Sequence, residues 1–127
     1  AALLGKKMEE NNVNVWLVNT GWSGGAYGTG QRMKLSYTRA MITAALNGQL
    51  ANVNFETHPI FGLDMPTSCE HVPSEILNPR STWSDKQSYD EKANELAVAF
   101  TENFKQFQEY ATEEMLSALP KVNEISF

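Results

Sequence analysis

Leu3, Leu4 and Met8 recur at near-helical spacing, with Lys6, Lys7, Glu9 and Glu10 between them, so residues 1 to 10 read as the last turns of an amphipathic helix. Asn11 and Asn12 break that pattern. The next run, Val13-Asn14-Val15-Trp16-Leu17-Val18, is β-branched and aromatic, which predicts a strand buried on at least one face. After a glycine-rich interval, Arg32-Met33-Lys34-Leu35 alternates polar with apolar residues as a short strand does. Ser36 is then a candidate N-cap for a helix from Tyr37 to Asn47. Met41, Ile42, Ala45 and Leu46 share one side of it, and Gly48 is its stop.

Between Asn54 and Met65, residues such as Phe55, Thr57, Ile60, Phe61 and Leu63 favour a strand, but Pro59 removes a donor and predicts a broken or edge strand. Pro66, Pro73 and Pro79 follow in a polar stretch that reads as a long irregular connection over the surface, without a core of its own. The longest regular pattern begins at Ser84. Ala93, Leu96, Ala97, Phe100, Phe104 and Phe107 keep helical spacing to about Tyr110; the face lacks the polar anchors of a cofactor box, so the stripe predicts core packing. A short last helix is expected from Thr112 to Leu119, capped by Thr112 and stopped by Pro120, with Glu113 and Glu114 in its first turn. Strands and helices mixed in this way predict an α/β class, a mixed sheet with flanking helices.

Composition bounds the picture. At 127 residues and 42% hydrophobic content the chain supports one modest core, hence a single unit over 1–127. A formal charge of −5 argues against a nucleic-acid partner, which calls for a basic stripe. No apolar run approaches the roughly 18 residues of a membrane span and no signal-peptide pattern opens the chain, so a soluble, cytoplasmic protein with no membrane partner is expected. The start, Ala1-Ala2-Leu3-Leu4, falls in mid-pattern without an initiator methionine and reads as a cut end. Cys69 has no cysteine partner, and Glu70 and His71 beside it lack a further Cys or His at metal-site spacing, so it reads as an ordinary thiol. No paired carboxylates suggest acid–base catalysis. His58 beside Pro59, and His71 in a proline-bounded loop, read as structural.

The chemistry concentrates in Asn19-Thr20-Gly21-Trp22-Ser23-Gly24-Gly25-Ala26-Tyr27-Gly28-Thr29-Gly30-Gln31-Arg32, where a bare backbone can present N–H groups to an anion. Gly25 and Gly30 have the spacing of G-x-x-x-x-G-K-S/T, but Gln31 and Arg32 stand where the lysine and hydroxyl belong, so a triphosphate loop is excluded; G-x-G-x-x-G fails as well. A turned or mobile surface loop and a ligand contact both stay open. Arg32, Lys34 and Arg39 cluster around it. Lys34 facing water and Arg39 pairing with a carboxylate is one reading; Arg32 presenting a planar cation to a phosphate or stacking on a nucleobase is the other. Trp22 and Tyr27 are likewise open between stacking on a ligand and plugging the loop against the body of the protein.

The run Asn19-Thr20-Gly21-Trp22, then Gly24-Gly25-Ala26-Tyr27-Gly28-Thr29-Gly30, Arg32-Met33 and Tyr37-Thr38-Arg39-Ala40-Met41-Ile42, resembles the C-terminal part of the ATP-dependent phosphoenolpyruvate carboxykinases. The likeness continues through Asn47-Gly48, Pro59-Ile60-Phe61-Gly62-Leu63, Pro66 and Ile76-Leu77-Asn78-Pro79-Arg80, covering about Gly5 to Leu119. It implies part of the C-terminal nucleotide-binding domain of an enzyme converting oxaloacetate and ATP to phosphoenolpyruvate, ADP and CO₂ in gluconeogenesis. In that family the triphosphate loop, the ligands for Mg²⁺ or Mn²⁺ and the oxaloacetate-binding residues lie upstream, so the fragment alone is expected to be inactive, with no catalytic or metal residue of its own. What it is expected to supply is the adenine and ribose side of the ATP site. By resemblance Arg32 flanks the base, the backbone at Met33 recognises its edge and Thr38 makes a polar contact. Gln31 and Met33 replace a Lys and an Ile common in the family. The rival expectations are a stand-alone nucleotide-binding module and a structural interaction domain. The Val13–Val18 strand is expected to pair in a sheet whose other strands lie outside this chain.

Overall fold

The computed structural model describes residues 2–122, so Ala1 and residues 123–127 lie outside the account that follows. Six α-helices and two separate two-stranded antiparallel ribbons make up the described chain. Helix and strand are both present, as an α/β reading requires, but among the described residues there is no single mixed sheet.

Helix α1 (Ala2–Asn11) ends as expected, with Asn12 in a left-handed conformation at φ 48° and the Asn11 side chain donating back to the Lys7 carbonyl at 2.9 Å. Its apolar side is uncovered: Leu3 and Leu4 are exposed. The expected strand at Val13–Val18 is not formed, and every residue of it is exposed, Leu17 at 81%. A strand exists only where a neighbour accepts its ladder, and no described segment does. Trp16 in this segment stacks on Phe55 at 6.1 Å.

Strands β1 (Trp22–Ser23) and β2 (Gln31–Arg32) form the first ribbon. Helix α2 (Leu35–Leu46) follows; it starts one residue before Ser36, with Lys34 at the N-cap position and no side-chain cap, so the Ser36 hydroxyl does not do the capping expected of it. Its far end is as read: Asn47 closes it and Gly48 turns left-handed at φ 73°. Buried Ala44 of α2 packs with Leu50, Cys69 and Val72 into one small core, flanked by Tyr37, Met41, Ile76 and Leu77. The proline-rich stretch is therefore no mere surface wrap. It lends Cys69 and Val72 to this core and carries two short helices, α3 (Ser74–Leu77) and α4 (Pro79–Thr82). Asn78 caps α4 by accepting the Arg80 N–H at 3.1 Å, with Pro79 at the first helical position, where its missing N–H costs nothing.

Strands β3 (Phe55–Thr57) and β4 (Asp64–Pro66) make the second ribbon, so the break expected near Pro59 is a hairpin turn. Helix α5 (Lys86–Phe104) is capped by Asp85, which accepts from the Gln87 and Ser88 amides. Ala93 and Ala97 of α5 are buried with Ile60 in a second core. The aromatic stripe is only partly covered: Phe104 is half-buried, while Phe100 and Phe107 are about half exposed, Phe100 meeting Phe61 edge to face at 6.4 Å, and residues 105–110 tighten into a 3₁₀ turn. The last helix, α6 (Glu113–Ser117), has the expected Thr112 cap, accepting the Met115 N–H at 3.2 Å. No helix among the described residues is long and apolar enough to cross a membrane.

Candidate functional site

The glycine-rich segment is a closed hairpin. Trp22 lies opposite Arg32 and Ser23 opposite Gln31, and the Met33 N–H extends the ladder by donating to the Gly21 carbonyl at 3.1 Å. Between the strands, Thr29 and Gly30 both donate to the Ala26 carbonyl, at 3.0 and 2.8 Å. The loop doubles back so closely that a Cβ on Gly30 would overlap the Gly25 carbonyl, which is why glycine stands there. A tightly turned loop is thus the outcome. Trp22 and Tyr27 meet edge to face at 5.2 Å and are 47% and 83% exposed, so they close on each other and not on the body of the protein.

Arg32, Met33 and Thr38 share one junction, from the end of β2 through two linking residues to the first turn of α2. Arg32 is exposed, while Met33 and Thr38 are half-buried. The Lys34 carbonyl accepts the Tyr37 and Thr38 amides at 3.0 and 3.3 Å, and Lys34 Nζ sits over the Tyr37 ring, 5.5 Å from its centre. Neither Arg32, Lys34 nor Arg39 forms an ion pair with a carboxylate among the described residues, so Arg39 does not make the pair weighed for it. The positive end of α2 opens at the same place, and exposed cations beside a helix N-terminus favour an anionic ligand.

A cleft of about 440 Å³ between the β3–β4 turn, α4 and α5 is built very differently. His58 is buried, at 6% exposure, and its Nδ1 accepts the Ile60 and Phe61 amides, both at 3.2 Å. Nε2 must then carry the proton, which it donates to the Tyr89 hydroxyl at 2.8 Å. Burial pushes the imidazole below its ordinary value, against a smaller opposing pull from Asp90. Burial likewise raises Tyr89. Arg80 forks onto Asp90 with contacts of 2.9 and 3.0 Å, holding that carboxyl below its usual range, and Asn78 donates to Glu56 at 2.8 Å. These groups satisfy one another, in line with a structural His58. Cys69 is buried, its thiol raised by that burial. Exposed His71 sits 3.4 Å from Glu70 at a left-handed φ of 64°. No cluster of three His, Cys, Asp or Glu that could hold a metal occurs among the described residues.

Local pattern reading misses these long-range pairs, Arg80 with Asp90 and His58 with Tyr89. The one local signal was Asn78-Pro79, a capping residue before a proline that marks the start of α4.

The phosphoenolpyruvate carboxykinase family profile matches residues 1–75. The chain is 62% identical over 120 residues to phosphoenolpyruvate carboxykinase (ATP) of Flavobacterium johnsoniae, and 60% identical over 120 residues to that of Christiangramia forsetii. Each alignment takes in 94% of this chain but only 22% and 23% of the respective relative. The Brevibacillus brevis protein of the same name is 56% identical over 96% of the chain and 23% of its own length. The chain thus spans under a quarter of the length of these curated relatives. With the glycine hairpin and the Arg32–Thr38 junction inside the matched residues, the chain belongs to the ATP-dependent phosphoenolpyruvate carboxykinase family.

Proposed function

We propose that this chain forms the adenine and ribose side of the nucleotide site of a phosphoenolpyruvate carboxykinase, within its C-terminal nucleotide-binding domain. The whole enzyme converts oxaloacetate and ATP to phosphoenolpyruvate, ADP and CO₂ in the cytoplasm. The observation that carries this reading is the junction itself, where exposed Arg32, unpaired with any described carboxylate, ends a hydrogen-bonded hairpin beside the opening of α2. A planar guanidinium there can lie against a base and complement phosphate charge. The Met33 N–H is committed to Gly21, so its carbonyl is the backbone atom that reads the base edge. A carbonyl accepts from the 6-amino group of adenine and meets the acceptor O6 where guanine takes the same position, which favours ATP over GTP. Thr38 supplies a hydroxyl one turn into α2.

The residues described here do not fit a divalent metal, so no metal-dependent step is assigned to them. Mg²⁺ or Mn²⁺, oxaloacetate and the triphosphate are held by chain outside this one, and this chain alone does not turn over. Its contribution to phosphoryl transfer is positioning of the nucleotide.

The test uses the full-length protein. Carboxylation of phosphoenolpyruvate is expected with ADP and not with GDP. Arg32→Ala is expected to raise the KM for the nucleotide about tenfold, the loss of roughly 1.4 kcal/mol of stacking and charge contact, while the KM for phosphoenolpyruvate holds. An equal rise in both would overturn the assignment of Arg32.

A further inference from the structure

We propose that Thr82 is a positioning residue for the nucleotide site, fixing the glycine hairpin to the α4–α5 body; this rests on the nucleotide reading above. Thr82 ends α4 and lies 58 positions from Gly24 in sequence, yet its Oγ1 accepts the Gly24 N–H at 3.1 Å. The same hydroxyl donates its proton to the Pro79 carbonyl at 2.6 Å. One hydrogen bond therefore orients the other: with its proton spent on Pro79, the oxygen turns a lone pair toward Gly24. Gly24 has φ 82°, and a Cβ on it would stand 3.1 Å from the Thr82 carbonyl, so the two backbones are in close approach as well.

What lies behind Thr82 is cross-tied by hydrogen bonds. Arg80 forks onto Asp90 of α5, Asn78 caps α4, and Lys86 Nζ donates to the Ser81 and Trp83 carbonyls at 3.1 and 2.6 Å. The hairpin has few other holds. Its remaining hydrogen bonds among the described residues are local, within residues 19–33. Gly24 directly follows β1, and Trp22 of β1 lies opposite Arg32, so the tether sets where Arg32 stands relative to α5. The hairpin shape survives without Thr82; its placement does not.

The experiment measures nucleotide and phosphoenolpyruvate KM for full-length Thr82→Val, Thr82→Ser, Gly24→Ala and Arg32→Ala, with hydrogen exchange of residues 21–33 followed by mass spectrometry. Valine keeps the shape and removes the hydroxyl, and is expected to raise the nucleotide KM about three- to tenfold, the worth of one neutral hydrogen bond, with faster exchange in the hairpin. Serine restores both to within about twofold, since it keeps the acceptor. Gly24→Ala strains the same tether from the other side and gives the same rise, so the inference can be read even where the valine variant fails to fold. A wild-type KM in folded Thr82→Val or Gly24→Ala, while Arg32→Ala raises it, overturns the tether and leaves the nucleotide reading intact. A wild-type KM in Arg32→Ala as well overturns both.

Discussion

Two hairpins in this chain solve the problem of a tight turn in opposite ways. The β3–β4 turn is organised from inside by His58, which uses both ring nitrogens on protein partners and lies buried while doing so. The β1–β2 hairpin is organised by bare backbone, with its charged side chain outside and unpaired among the described carboxylates. The first spends its polar capacity on itself. The second keeps cations and a main-chain carbonyl for something else. The cleft of about 440 Å³ thus belongs to the self-satisfied region, while the unpaired cation of the hairpin sits on an exposed junction.

The sharpest way to break the contrast is to delete the internal organiser. His58→Ala leaves the Ile60 and Phe61 amides without their acceptor, and unpaired buried donors cost about 1–3 kcal/mol each. Opening of that turn is expected to become roughly a hundredfold more frequent, read by native-state hydrogen exchange at Gly62, whose N–H donates to the backbone carbonyl of residue 58. Nucleotide KM should move far less than in Arg32→Ala; a larger rise would merge the two regions into one site.

A smaller effect follows from acid. His58 folds with a value below the 6.5 of a free imidazole, so between the folded value and 6.5 the unfolded chain binds more protons than the native one. The stability it contributes is fully present above 6.5 and is lost as pH falls through the folded value. Protection at Gly62, corrected for intrinsic exchange, should rise with pH across that window and be flat in His58→Gln. A profile that falls with rising pH would mean that the native turn prefers the charged ring. The smallest effect is expected for Arg32→Ala on stability, within about 0.5 kcal/mol, as for an exposed side chain outside any packed network; a larger loss, read by exchange of the hairpin amides, would show that Arg32 too is structural.

How much of this was legible beforehand depends on the range of the forces involved. The presence of α2, its stop at Asn47-Gly48 and the Thr112 cap came from neighbours within a few residues, and the structure agrees, although α2 begins at Leu35 and takes no cap from Ser36. Val13–Val18 was read as a buried strand because its composition is right, but pairing is non-local and no described segment supplies it. The Phe100 and Phe107 stripe erred for the same reason: periodicity says that one face is apolar, not that something covers it. In the proline-rich stretch the error ran the other way, since Asn78-Pro79 starts a helix where prolines suggested only coil. As for the candidate site, the glycine interval and its cations were visible in the residues, and the roles of Arg32, Met33 and Thr38 came from family likeness. The bond from Gly24 to Thr82 joins positions too far apart for any local pattern to reveal.

The uncovered segment at Val13–Val18 has one more consequence, for anyone handling this chain apart from its longer relatives. Six consecutive residues without charge, proline or glycine, mostly β-branched or aromatic, have the composition of a cross-β stacking segment, and here their backbone lies outside any ladder. In general, an exposed segment of that composition is an aggregation hazard. Leu17, the most exposed of its apolar residues, is the position at which a single lysine would act as a gatekeeper against such stacking.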